Sequence, residues 1–596
     1  MANFYRDNDD IQFLFRHTGP GKLAAICEEG FKFASEFDYA PADAAEAIQN
    51  YDLVLNSLGQ LSGDFIAERA EDVDRQGNTL SEDGSVTYAK GIAESLEQLA
   101  KADVMGITLP HRFGGLNFPN LIYSMAIEMV SRADASLMNI FGLQGIAETI
   151  NAFACEEIKE KYLYDFSAGK VTGAMVLTEP DAGSDLQSVK LRAFQDDGKW
   201  FLHGVKRFIT NGCGQVLLVL ARSEPERAGG LGLSLFVCDR GPSIHIRRLE
   251  DKLGIHGSPT CEIFFDNTPC QIIGERQRGL VTYVMSLMNG ARIGIAAQSV
   301  GIAEAAYRVG RDYAASRVQF GVAIEKLPAV RDMLIDMKIA IEAGRALLYE
   351  TSRIVDMEIG YAKRLQTNPP GDKGKAKELK NESRKYKRYA GMLTPMSKYY
   401  CSEMCNRIAY DSIQVLGGSG YMRDYACERH ARDARITTIY EGTSQLQVVA
   451  AVRGVCSGTA EKFMAELARE NYSDNLKDLL EKLNEGRELL KSSAAFVKEQ
   501  GNEYMDLYGR ALVDIAIDLI NGYLFCGQAS TKVEMEVATD DASGESIQMK
   551  YRKAMIARRF ISNNVPKITA LSEKICSGDK STFADYEALI GPVPAE

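Results

Sequence analysis

The sequence predicts an α+β protein: an N-terminal helical domain, a middle antiparallel β domain, a helical-bundle domain and an extra C-terminal helical domain. Three observations predict it. Apolar residues fall at helical spacing up to about residue 170. Short β-forming runs follow between 171 and 279, and the helical period returns from 280 onward. The bounds read 1–170, 171–279, 280–455 and 456–596. At roughly 100–200 residues per domain, a chain of 596 residues accommodates that division.

Each element has a local cause. In the first segment Ile92, Leu96 and Leu99 share a helix face, as do Ile122, Met125, Ala126 and Met129. The Gly/Pro-rich string Leu109–Gly115 interrupts them as a loop. The β runs are 171–179, 189–194, 200–209, 216–221, 233–238, 244–249 and 261–265. Asp196-Asp197-Gly198, Asn211-Gly212 and Ala228-Gly229-Gly230 punctuate them too evenly for βαβ units. A long helix is expected over 280–316. The charged stretch 366–388 starts as an exposed loop or helix-hairpin insertion and ends as a solvated helix. Gly454–Gly458 marks a boundary before the last helical block.

Composition narrows the function classes. Lys and Arg number 69 against 81 Asp and Glu, a net charge of −12, which disfavours nucleic acid as a partner. Met1–Asp10 lacks the basic and apolar regions of a secretory leader. No run approaches the roughly 18 uninterrupted apolar residues of a spanning helix, and the best candidate, 511–527, carries Asp514 and Asp518. Twelve Cys without CxxC pairs point to a reducing compartment, the cytoplasm, with Cys401 and Cys405 as core packing. The six His show no metal spacing, so no metal site is expected.

Three segments are able to carry chemistry. Thr178-Glu179-Pro180-Asp181-Ala182-Gly183-Ser184-Asp185 ends a β run in small residues. It reads either as a capped turn or as a loop that approaches a polar ligand. Arg207-Phe208-Ile209-Thr210-Asn211-Gly212 reads as a hairpin end with a type I′ turn, or as Phe208 set against a planar ring with Thr210 as a polar contact. In Tyr440-Glu441-Gly442-Thr443-Ser444-Gln445 the carboxylate is either a solvated residue near a helix start or, in an apolar site, a general base of raised pKa. No GxGxxG or P-loop pattern accompanies them.

In this order and spacing, the three segments resemble the acyl-CoA dehydrogenase family of flavoproteins. Leu109–Gly115, Asn289-Gly290-Ala291-Arg292, Ser316–Gly321 (SRVQFG), Gln414–Tyr421 (QVLGGSGY) and Arg432-Asp433-Ala434 are similar to further family motifs. The resemblance spans roughly residues 50–455. The added C-terminal block is similar to the large members, of the methylmercaptopropionyl-CoA and very-long-chain types.

The resemblance implies FAD, an acyl-CoA substrate, electron-transfer flavoprotein as acceptor and a homodimer. Val176, Leu177 and Thr178 would line the flavin, with Phe208 against its ring and Thr210 near N5. Arg317, Phe320 and the segment holding Gln414, Gly417 and Gly418 would reach the cofactor's adenine end across a dimer interface. Thr443 and Gln445 would hold it beside the base. Ser184 would contact the CoA portion or the cofactor, while Asn289, Arg292, Tyr440 and Gly442 would contact the substrate. Glu441 would abstract the α-proton, since Ala291, where some members carry the base, cannot. An acyl-CoA oxidase of the same fold and a non-catalytic assembly flavoprotein are the alternatives. Arg432 and Asp433 read as a structural ion pair.

Overall fold

The computed structural model describes residues 2–367, 369–539 and 545–594. The chain forms two compact units, Met1–Ser383 with Ser397–Thr443, and Arg384–Met396 with Ser444–Glu596.

In the first unit, helix α1 (Asn120–Ala133) is buried on nearly every side. It packs on α3 (Met285–Ser316) and α4 (Pro328–Thr367). Gly301 permits the close crossing, because a Cβ there would stand 2.4 Å from the Glu128 carbonyl oxygen. Helix α2 (Ala135–Phe141) starts where the Asp134 carboxylate accepts from the Ser136 and Leu137 amides. Among these helices the Arg345 guanidinium, wholly buried, pairs with Asp10 at 2.6 Å, Glu128 at 2.7 Å and Glu304 at 2.9 Å. The Tyr349 hydroxyl donates to Glu128 at 2.6 Å.

The β part comprises β1 (Gly173–Val176), β2 (Arg192–Asp196), β3 (Lys199–Thr210), β4 (Val216–Arg222), β5 (Leu233–Asp239), β6 (Ile244–Leu249) and β7 (Thr260–Ile273). Pairing runs β1-β4-β2-β3-β7-β5 and returns from β5 to β4, a closed circuit with β6 attached to β7. Strands within the circuit pair on both sides, while β1 and β6 each pair with one strand. Strand β4 reads as an uninterrupted apolar run because both its faces are buried. Leu217, Val219 and Ala221 enter one core with Phe236 and Phe265, while Val216, Leu218 and Leu220 enter another with Ile146, Phe166 and Val284.

The structure corrects two expectations here. The sheet is not wholly antiparallel, since β1 runs parallel to β4 from Gly173↔Val216 to Val176↔Val219. Nor is Asn211-Gly212 the turn of a hairpin, because β3 and β4 are not paired neighbours. Asn211 is left-handed at φ 52° but Gly212 is not, so the type I′ form is absent. The buried Asn211 side chain instead accepts from Tyr88 Oη at 2.6 Å and donates to the Gly173 carbonyl at 3.0 Å. That ties the end of β3 to the start of β1.

Of the charged stretch, 366–367 end α4 and 373–388 open α5 (Lys373–Leu416), which Asp372 caps by accepting from the Lys375 amide. Asn368 within the stretch lies outside the described residues. Helix α6 (Cys427–Arg435) follows α5. In the second unit α7 (Ser444–Cys456) packs against α9 (Asn502–Ala529). Helices α8 (Lys477–Gln500), α9 and α10 (Met549–Cys576) pack mutually. Gly486 and Gly522 leave room there for Leu519 and Leu483. Two helices, Gly279–Ser316 and Asn502–Ala529, prove long and apolar enough to cross a membrane by length and composition, which no run was expected to be. Of their apolar windows, 61% and 72% are buried inside the protein, so core packing uses that surface.

Candidate functional site

The first two motif segments meet at the ends of β1 and β3. The Arg207 amide donates to the Thr178 carbonyl at 3.0 Å, which sets Phe208 and Thr210 beside Thr178. Beneath them lies Lys206, wholly buried, whose Nζ donates to the Leu177 carbonyl at 2.7 Å and pairs with Glu179 at 3.0 Å. Burial lowers its pKa to about 8, and the Glu179 carboxylate opposes the fall. Glu179 also accepts from the Lys190 and Leu191 amides at 2.8 and 2.9 Å, so the loop after β1 is pinned from three directions. Phe208, at φ 60°, turns its ring outward and is 51% exposed. The Val176 and Leu177 side chains enter opposite cores. Only their backbone is therefore available to a ligand. Ser184 is exposed on the same loop.

The third segment is held from both sides. Tyr440 Oη donates to Gln298 Oε1 and, at 3.2 Å, to Asn139 Oδ1. On the other side the Gly442 carbonyl accepts from Lys398 Nζ at 2.8 Å, and that lysine is wholly buried in α5. Glu441 takes a left-handed φ of 55° and Gly442 one of 92°. For a side-chain-bearing residue this costs on the order of 1 kcal/mol, which the two clamps sustain. Glu441 is partly exposed, yet burial dominates its electrostatics and raises its pKa to about 7. The cations Arg292 and Lys398 oppose that rise. Arg292 is buried, donates through Nη1 to Asn289 at 3.1 Å, and its Nε has no partner among the described residues.

The two clusters are joined. Asn139 Nδ2 donates to Ser258 Oγ at 3.3 Å, and the next residue, Pro259, accepts at 2.7 Å from the Asn211 amide at the end of β3. The 250–259 loop is fixed in turn by Asp433, which accepts from the Ile255 amide at 2.5 Å. Arg432 pairs with Asp74 at 2.6 Å and Glu428 at 2.7 Å. The expected Arg432–Asp433 ion pair is thus replaced by two separate clamps.

A second region lies at the C-terminal end of α3, where Arg317 and Phe320 are exposed. Tyr313 Oη donates to Ser419 Oγ at 3.3 Å, bringing this end against the glycine-rich segment. A Cβ on Gly417 or Gly418 would meet nothing within 4 Å, so the backbone there is open to a ligand. Gln414 is exposed beside it. Thr443 ends the first unit, and Gln445 is exposed on α7 in the second.

Sequence reasoning missed Lys206, Lys398, Asn139 and Gln298. The available signal was a polar residue within an apolar run, as in PMSKYYC for Lys398 and IAAQSV for Gln298.

The site has the parts of a cofactor-assisted proton abstraction: a half-buried carboxylate, an unpartnered guanidinium donor beside it, and an outward aromatic ring near a pinned loop. The outward Phe208 ring suits a planar group, and at the second region the open Gly417–Gly418 backbone suits a polar one such as a phosphate.

Comparison with known proteins identifies the family. The family models for the acyl-CoA dehydrogenase N-terminal, middle and C-terminal domains match residues 56–170, 174–268, and 278–364 with 376–455. The chain is 32% identical over 469 residues to 3-methylmercaptopropionyl-CoA dehydrogenase of Ruegeria pomeroyi, covering 74% of each chain. The solved butyryl-CoA dehydrogenase of Megasphaera elsdenii is 29% identical with a TM-score of 0.56, covering 68% of this chain and 96% of that one. The structure "Bd2924 apo-form", 20% identical with a TM-score of 0.69, shares the fold over 89% of this chain and 98% of its own.

Proposed function

The chain belongs to the acyl-CoA dehydrogenase family of FAD-dependent enzymes, and on that premise we propose that Glu441 is the base that takes the α-proton of an acyl-CoA thioester. The observation that carries the reading is the half-buried Glu441 carboxylate on a left-handed backbone clamped through Tyr440 and the Gly442 carbonyl, with burial raising its pKa.

An α-hydrogen next to a thioester is weakly acidic, so its removal needs a positioned base and donors for the developing enolate oxygen. Glu441 supplies the base, and its backbone N–H is one donor to the thioester carbonyl. Arg292, with an Nε–H that has no partner among the described residues, and Asn289 beside it would bind the acyl-CoA. Thr178, Phe208 and Thr210 would hold the flavin ring of FAD, and Arg317, Phe320 and the open Gly417–Gly418 backbone would reach the adenine end of a cofactor across a dimer interface. The flavin, when bound, would supply the hydride acceptor. With the α-proton on Glu441 and the β-hydrogen removed as hydride, the product would be a trans-2-enoyl-CoA. We assign electron-transfer flavoprotein as the onward acceptor.

Glu441→Gln removes the proton acceptor and keeps the side chain's shape. Turnover with acyl-CoA and an artificial acceptor should fall about 10²–10⁴-fold, while FAD content and acyl-CoA affinity persist. Undiminished turnover would overturn the assignment.

A further inference from the structure

We infer that Lys398 is a positioning residue for Glu441: by holding the Gly442 carbonyl and facing the carboxylate with its charge, it fixes where the base points and favours its ionised form. This rests on the reading of Glu441 as the base.

Lys398 lies in the C-terminal half of α5, on a helix otherwise committed to packing. Its near neighbours Ser397, Cys401 and Ser402 are all buried, and Lys398 is itself wholly buried. A lysine is almost never enclosed like this without a partner. Among the described residues its hydrogen-bond partner is a backbone carbonyl, Gly442 O, at 2.8 Å, immediately beyond Glu441. Asn406, two turns later on α5, donates to the Ala434 carbonyl at 2.9 Å, so the same helix fastens the chain on both approaches to Glu441. Tyr440 is tied through its hydroxyl to Asn139 and Gln298. The left-handed residues 441 and 442 thus stand between a fixed phenol and a fixed carbonyl. Such a conformation persists only where its surroundings hold it. Loss of the Lys398 bond removes the anchor on the carbonyl immediately after Glu441.

The charged groups facing Lys398 are Glu441 from the site loop, Arg292 from α3 and Glu403 from α5 itself. Burial lowers the ammonium to about 7, Glu441 and Glu403 oppose that fall, and Arg292 adds to it. Each of the two charges therefore favours the charged form of the other. When Lys398 carries its proton, the carboxylate is the favoured form of Glu441.

The test uses the full-length holoenzyme with three changes: Lys398→Met, which keeps the stem and removes donor and charge; Lys398→Gln, which keeps a donor; and Glu441→Gln. Lys398→Met should lower kcat about 10–100-fold with little change in KM. It should also move the acid limb of the kcat/KM profile upward by roughly half a unit to one unit. Lys398→Gln should recover part of kcat but leave the limb displaced. In the Glu441→Gln background, Lys398→Met should have no further effect on residual turnover, because the group it positions is already gone. On apoprotein, the Tm gap that Glu441→Gln opens at high pH should widen in the Lys398→Met background and level off at a higher pH.

An unmoved acid limb in both lysine variants, or losses that multiply with Glu441→Gln, overturns the inference and leaves Lys398 as a packing residue. Full activity of Glu441→Gln overturns the base assignment itself, whatever the lysine variants do. Should Lys398→Met fail to fold, Lys398→Gln with the double variant decides the matter through the same limb.

Discussion

Glu441 carries two pH dependences that run in opposite directions. Abstraction requires the carboxylate, so kcat/KM should rise as pH rises through about 7, the value to which burial lifts the group. Stability does the reverse. A carboxyl whose pKa is higher folded than unfolded binds more protons in the fold. Its full contribution is therefore present below the unfolded value of about 4.5 and is lost as pH rises through the folded value of about 7. Partial exposure and the Arg292 and Lys398 charges limit the loss to on the order of 1 kcal/mol. Glu441→Gln should therefore melt at the parent's temperature near pH 4.5 and roughly 1–2 °C above it at pH 8.5, by calorimetry of the apoprotein. An equal gap at both pH values would show that the carboxyl is not desolvated in the fold. The same residue then shows strain and buried charge retained where chemistry needs them.

At the scale of elements, the crossing of α1, α3 and α4 depends on one cation. Arg345 faces Asp10, Glu128 and Glu304, which hold its proton far more tightly than usual, while the surrounding cations, Lys338 and Arg345 foremost, hold Glu304 well below the carboxylate range. Arg345→Met leaves three buried carboxylates without their shared partner. We expect a loss of about 3–5 kcal/mol, read by urea unfolding at pH 7 and reduced at pH 5, where Glu128 is more readily protonated. A loss below about 1 kcal/mol would mean that the network contributes little. This network marks the limit of what the sequence discloses about elements. Helices and strands were legible because period 3.6 and period 2 are local properties, as in 244–249 or the long helix after 280. Pairing was not. The parallel β1–β4 contact joins residues over forty positions apart, and Asn211 reads as a turn residue until Tyr88 and Gly173 are placed against it. Of the site, Glu441 and its flanks were legible through their motif. Lys206 and Lys398 were not, because their roles are bonds to carbonyls of distant loops.

For the whole molecule, the outward end of α3 bears on assembly. Phe320 is 92% exposed, Tyr421 78%, Val318 57% and Met422 50%. Tyr313 ties the two segments that carry them together, through Ser419 at 3.3 Å and the Tyr425 ring at 5.6 Å. Apolar residues gathered in this way at one end are costly to leave in water. The family resemblance sets this region at a dimer interface that completes the adenine end of the cofactor site, and we predict a homodimer. Light scattering at micromolar concentration should give twice the chain mass of 65.6 kDa. Phe320→Asp puts a charge where the partner would sit, so it should shift the mass toward one chain and lower FAD retention together, while leaving the helical circular dichroism signal in place. Because the open Gly417–Gly418 backbone and Arg317 lie on this same end, the two losses are coupled if the interface completes the cofactor site. A monomeric parent, a tetramer, or a Phe320→Asp monomer that keeps its flavin would each contradict that arrangement.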